Sequence, residues 1–346
     1  MLNINRGKLL QSPLTALSIA ITLAGACAAE AKPLVVYSAL DEAQMVELLA
    51  AFKAEHPDIN VEVINESGGT IVARLIAEKS NPRADILFGA PVSGLMALNG
   101  EGILQPYKPN GFDDVKPALK DTASPVPLWV GLDAWASAVC YNTVEGKAEG
   151  APQPTKWVDL VKPEYKGKVV MTNPNSSGTG FLTVAGWLTL FGEKGAWDYM
   201  DKLNENVSQY VSSGETPCRM AASGEAVVGI SYAFPGVQAK NEGAPIDVVL
   251  PAEGLGSEIE ATALIKGGAN SEAAKLLADF AASSKAGEIS SKYYAVVAHN
   301  GSYPTVPNYP EGEEKLMLNI DFNQLSAQKP KILAEWQRRY GAKATE

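Results

Sequence analysis

Serine and threonine side chains at the mouths of strand-to-helix turns are the residues of this chain best placed for chemistry, and what they suit is holding an anion. The richest turn, residues 173–180, follows the mostly β-branched run 169–172 and leads at once into an apolar helical pattern from Phe181 and Leu182, with Ser176, Ser177, Gly178 and Thr179 at its end. The first N–H groups of a helix have no partner within it, and the dipole adds about half a positive charge there, so such a start attracts phosphate-like groups. Alone, the turn reads equally well as an ordinary capped helix, because Ser and Thr are common N-caps. Two further turns repeat the pattern. The strand pattern 60–65 passes through Ser67, Gly69 and Thr70 into a helix over 71–79, and the strand pattern 34–37 ends at Ser38 and Ala39 before a helix over 42–54. In doubly wound sheets such turns gather at the carboxyl ends of the strands, where ligands bind. Three turns therefore point to one anion.

Catalysis has less to stand on. The two histidines, His56 in EHPD and His299 in AHNG, both lie in turn-like contexts. There is no GxSxG elbow, no GxGxxG or GxxxxGK[ST] loop, and no CxxC or Cys/His cluster for zinc. A binding protein that is not an enzyme and needs no cofactor or metal is expected; a secreted enzyme acting on a phosphorylated small molecule is the lesser alternative.

The elements that must position these turns alternate between strand and helix patterns, which implies parallel sheets flanked by helices. Further strands are expected over 84–89, 169–172 and 227–231, and helices over 93–99, 181–191, 196–204, 218–223, 271–292 and 313–340. Two long extended runs, 129–141 and 246–250, suit a chain that crosses into a second lobe and later returns. Ahead of all this, Arg6 and Lys8 precede the apolar run 14–26 and small residues up to Ala31, the pattern of a cleavable secretory signal peptide with A-x-A sites after Ala28 or Ala31. Cleavage leaves about 315 residues, more than one core usually serves, and two cysteines. In an oxidising compartment Cys140 and Cys218 could bridge; the alternative is two buried thiols. A net charge of -10 argues against nucleic acid as a partner.

With those elements in view the mature chain resembles the extracytoplasmic solute-binding proteins of ABC importers, in the class that includes ferric-iron and polyamine binders. The segments WVDLVKPEYKGKVVMTNPNSSGTGFLT, CRMAASGEAVVGISY, GAPIDVVLPAEGLGSEIEATALIKG and YYAVVAHNG are most similar to binding proteins for 2-aminoethylphosphonate. The resemblance implies a type II periplasmic binding protein fold: two α/β lobes, each a mainly parallel sheet flanked by helices, joined by two extended crossover strands. It divides the chain into a signal peptide over 1–31, a first lobe of 32–133 and 247–300, a second lobe of 134–246, and C-terminal helices over 301–346 packing mainly on the second lobe. It implies a periplasmic monomer that closes over 2-aminoethylphosphonate and delivers it to an inner-membrane permease. The phosphonate would take donors from Ser38, Ala39, Ser67, Gly69, Thr70, Ser176, Ser177, Gly178 and Thr179, and the ammonium would meet Tyr232, Trp135, Asp133 or Glu215. Ferric iron is the nearest rival. Sites for it in this class resemble a histidine after the first strand and two adjacent tyrosines, whereas here Asp41 and the pair Ser231, Tyr232 stand at those places.

Overall fold

Short runs of Val, Ile and Leu with few charges make strands buried on both faces, as parallel strands covered by helices are. β1 (Leu34–Ser38) is such a run, and the helix after it, α1 (Glu42–Glu55), buries Met45, Leu48, Leu49 and Phe52, a stripe at helical spacing. β2 (Val61–Asn65) with α2 (Gly68–Ala77), and β3 (Ile86–Pro91) with α3 (Val92–Gly100), repeat the unit. β1 pairs in parallel with both β2 and β3. The computed structural model describes residues 32–345, and the signal peptide expected over 1–31 lies outside the described residues.

After a short β4 (Leu104–Gln105) comes β5 (Val130–Asn142), a 13-residue strand buried throughout. α4 (Thr143–Ala148), β6 (Val169–Thr172), α5 (Gly178–Asn206), β7 (Val207–Val211), α6 (Thr216–Ser223), β8 (Val228–Tyr232), α7 (Ala233–Asn241) and β9 (Ile246–Val249) build the second lobe. β10 (Ser257–Ile265), α8 (Ser271–Ala281), α9 (Ser284–Ser290) and β11 (Val296–Val297) return to the first, and α10 (Glu313–Leu316) and α11 (Phe322–Tyr340) follow. The topology turns on β5. Its residues 130–136 pair antiparallel with β10, while residues 137–142 pair with β8 and β9. β6 lies parallel to β7 and β8. One strand thus serves both sheets, and the chain recrosses between β9 and β10, giving the two crossovers of the expected two-lobed fold.

Details differ from expectation for local reasons. The helical pattern over 271–292 is two helices, because Ser283 takes the N-cap position of α9 and its Oγ accepts from Ala286 N at 3.2 Å. The pattern over 313–340 breaks likewise at Asp321, which caps α11 by accepting from Gln324 N at 3.0 Å. The two helices expected over 181–191 and 196–204 are present as the two arms of α5, separated at Gly192, whose φ of 70° and ψ of 166° are not helical. The expected lobe boundary at 246/247 falls inside β9, whose partner is the second-lobe half of β5. α11 buries Ile332, Trp336 and Tyr340 in the second lobe's core, yet its Phe322 also packs against the first lobe's core and the helix lies along α3. It spans both lobes.

The sulfurs of Cys140 on β5 and Cys218 on α6 are bonded, with Cα atoms 5.2 Å apart, in a small cluster with Ala221 and Ile246. The chain-entropy model assigns a loop of this length roughly 4 kcal/mol. Reduction is therefore expected to lower the unfolding midpoint by several degrees, and thiol titration of denatured, unreduced protein to find no free thiol from this pair. An unchanged melting curve after complete reduction would count against a stabilising bridge.

Candidate functional site

The start of α5 is set by what precedes it. β6 delivers the chain into a turn in which Asn173 Oδ1 accepts from Asn175 N at 2.9 Å, an Asx turn. Ser176 Oγ donates to the carbonyls of Asn173 (3.3 Å) and Ser212 (3.1 Å), so this hydroxyl fastens the turn to the end of β7. Gly180 lets the first helical turn lie on that loop, since a Cβ there would come within 2.6 Å of the Thr172 carbonyl. Ser177 then occupies the N-cap with extended φ and ψ, and its side chain makes no capping bond. Thr179, 7% exposed, holds its hydroxyl against the same point. Across from both lies Gly214, where an added Cβ would stand 2.6 Å from Thr179 Oγ1 and 3.4 Å from Ser177 Oγ. Ser231 Oγ donates to the Gly214 carbonyl, locking the turn before α6 in place. Two hydroxyls and the free N–H groups at Gly178, Thr179 and Gly180 therefore converge at the carboxyl end of the second lobe's sheet.

The first lobe presents the matching ends of β1, β2 and β3. Ser38 is buried and its Oγ accepts from Leu40 N at 3.2 Å, shaping the turn that carries Ala39. Ser67 is the N-cap of α2, with 2.8 Å between its hydroxyl and that of Thr70, and both residues are exposed. Gly69 is open, and Gly68 lies against Pro91 at the end of β3. Ser67, Gly69 and Thr70 thus share one rim.

Carboxylates and phenols from both lobes meet beside the crossover strands. Tyr294 OH donates to Asp41 Oδ2 at 3.1 Å. Burial pushes the Asp41 carboxyl above its usual range, with Glu215 of the second lobe adding repulsion. Burial also holds the Tyr232 phenol well above its usual range, and Asp41, Glu215 and Glu260 reinforce the effect. The Trp135 and Tyr232 rings pack at 5.5 Å. Of the four residues expected at the amine side, Tyr232 and Trp135 are in contact and Glu215, paired with Arg219, stands within electrostatic reach. Asp133 is placed differently. It is fully buried in β5, bonded by Gln44 Nε2 at 2.6 Å, because that stretch of the strand has both faces covered. Tyr294 and Glu260 carried no signal beyond membership of the segments YYAVVAHNG and GAPIDVVLPAEGLGSEIEATALIKG, and Asp41 stood out only at the place of an iron-binding histidine, not as a partner of Tyr294.

The hydroxyls and N–H groups of this arrangement suit binding, and the two histidines are engaged elsewhere. His56 ends α1, and His299 Nδ1 lies 2.6 Å from Tyr303 OH. Among the described residues no group of three or more His, Cys, Asp or Glu side chains is placed to hold a metal.

Comparison with known proteins agrees with a binding role. The chain is 31% identical to an uncharacterized protein of Haemophilus influenzae over 92% of this chain and 94% of that one. A protein of Salmonella typhimurium named "Putative 2-aminoethylphosphonate-binding periplasmic protein" is 28% identical over 45% of this chain and 44% of its own. Among solved structures, the periplasmic binding protein AfuA from Actinobacillus pleuropneumoniae, with fructose-6-phosphate bound, superposes with a TM-score of 0.80 at 29% identity, covering 89% of this chain and 98% of that one. Proteins of this kind take up a small molecule and hand it to an ABC permease. A family model described as bacterial extracellular solute-binding protein matches residues 81–327, and with the two-lobed fold and the donor-lined helix start this makes the chain a member of the bacterial extracellular solute-binding protein family.

Proposed function

We propose that this protein captures a small organic phosphonate or phosphate monoester, with 2-aminoethylphosphonate as the ligand fitting both ends of the site, for delivery to an ABC permease. The observation that carries the reading is the pair of hydroxyls, Ser177 Oγ and Thr179 Oγ1, which converge with the free N–H groups of α5 beside Gly214. A phosphonate brings three acceptor oxygens to such donors, and charge-assisted bonds are the strong ones. At the other end, Asp41, Glu215 and the Trp135–Tyr232 pair suit an ammonium. A sugar phosphate is the second reading. It is favoured by the likeness to the fructose-6-phosphate complex, because the same carboxylates accept from sugar hydroxyls. Iron is less well supported: Ser231, at the place of a second tyrosine, is engaged with the Gly214 carbonyl.

The test is a thermal-shift panel of 2-aminoethylphosphonate, fructose-6-phosphate, inorganic phosphate and Fe(III). A ligand held only by the folded state adds about 2.7 kcal/mol at a hundredfold excess over Kd. A shift with either organic compound is expected, and a shift with Fe(III) alone would overturn the reading. Tyr232→Ala is expected to weaken 2-aminoethylphosphonate more than propylphosphonate, by about 2- to 30-fold for the lost contact with a cation. Equal losses by calorimetry would move the amine away from Tyr232.

A further inference from the structure

Asp133 on β5 and Glu260 on β10 stand directly opposite each other in the ladder that joins the lobes. Both are buried, Asp133 at 0% and Glu260 at 7% exposure. Gln44 Nε2 donates to Asp133 Oδ2, and 3.2 Å separates it from Ser290 Oγ. The other Asp133 oxygen, Oδ1, and Glu260 Oε2 are buried without a hydrogen-bond partner among the described residues, and residues directly opposite in an antiparallel ladder bring their side chains together on one face. Two ionised carboxylates have only acceptors and would repel across the strands. A single proton between them supplies the missing donor. The groups facing the pair are Asp41 ahead of α1, Gln44 on α1, Ser290 on α9, Tyr294 after it, Tyr232 at the end of β8 and Glu258 on β10 itself. These groups are acidic or neutral, with Lys329 acting on Glu258 and Arg219 on Tyr232 from beyond them, so a shared proton relieves the repulsion within the pair.

The location gives that proton a mechanical role. The β5–β10 register slips between Glu260 and Ala261, and the β10–β3 register slips between Ala261 and Ala263. Such bulges bend a strand. Three residues beyond Asp133, at Ala136, β5 leaves the first sheet for the second. The pair sits where the crossover strands must flex if the lobes part.

We propose that Asp133 and Glu260 form a proton-bridged clasp on the two crossover strands, with protonated Glu260 donating to Asp133, and that loss of this proton loosens the joint between the lobes. The clasp is independent of which ligand the cleft takes. Burial pushes Asp133 up to about 7 and, with Asp133 beside it, raises Glu260 well above the carboxylate range, so the two titrate as a unit.

The test uses the ligand-free protein, so its failure is separate from failure of the ligand reading. Infrared spectra at about pH 8 are expected to show a protonated-carboxyl band in wild type that Glu260→Gln removes. The amide of Glu260→Gln keeps a donor for Asp133 without titrating. The radius of gyration of wild type is therefore expected to rise with alkali while that of Glu260→Gln stays level, the open-to-closed ratio of wild type changing by up to about tenfold per pH unit once Glu260 titrates. Asp133→Asn, which lets Glu260 ionise beside an amide donor, should also stay level and lack the band. Absence of a band sensitive to Glu260→Gln, or parallel alkaline expansion of wild type and both variants, would overturn the clasp.

Discussion

Thr179→Ala is expected to weaken every phosphonate or phosphate ester that binds by about ten- to a hundredfold, and Ser177→Ala to do nearly the same. Each removes a hydrogen bond to a charged group, worth about 1.5–3 kcal/mol, at a helix start where the hydroxyl has no other partner to fall back on. Ser176→Ala provides the contrast. Its hydroxyl is engaged with two carbonyls, so its loss should act on the turn's stability and only modestly on affinity. Calorimetric titration of the three variants separates the roles. Equal effects at positions 176 and 179 would show that the free hydroxyls are not the anion's donors.

Stability is expected to fall by several kcal/mol between about pH 5 and pH 7. Burial pushes Glu258, Glu313 and Asp133 each up to about 7, whereas in the unfolded chain they titrate near 4. Over that window the folded state binds more protons than the unfolded one, so stability decreases as pH rises through it, and levels off for each group above its folded value. Carboxylates held down to about 2, Asp159 and Glu335, act only below about pH 4 and do not disturb the window. Urea denaturation at the two pH values measures the difference. Glu313→Gln should flatten the slope by about one proton while keeping the acceptor for Ala136 N, now 3.1 Å from Glu313 Oε1. Identical urea midpoints at pH 5 and pH 7 would refute protonated buried carboxyls.

The alternation of strands and helices, the crossover run 129–141 and the turns at the strand ends could be read from the sequence, because period and turn chemistry are local. The second expected crossover, 246–250, is instead β9 within the second sheet, and the returning strand is β10. The division of labour within one turn could not. Ser176, Ser177 and Thr179 are alike in type, and only the position of the Ser212 carbonyl assigns the first to the backbone and leaves the others free. Asp133 is expected at the amine side from its place near the end of a strand pattern. In fact both faces of β5 are covered, which depends on α1 and α9 packing from distant parts of the chain. The meeting of Asp41 with Tyr294 joins residues 253 positions apart, which no local pattern encodes. The helix breaks at Ser283 and Asp321 did have a signal, an N-cap residue inside each apolar pattern, which periodicity alone overrode.

The division of each lobe between early and late parts of the chain has a consequence for synthesis. β3 and the first half of β5 find their shared neighbour only in β10, beyond residue 256, and the second lobe's core takes Trp336 and Tyr340 from α11. A nascent chain therefore cannot complete either core until its last quarter has emerged. Pairings so distant in sequence also form slowly, since a long loop must close before they gain anything. The emerging polypeptide stays open for most of its production, a state that a transport machinery handling unfolded chains, or a chaperone, can engage.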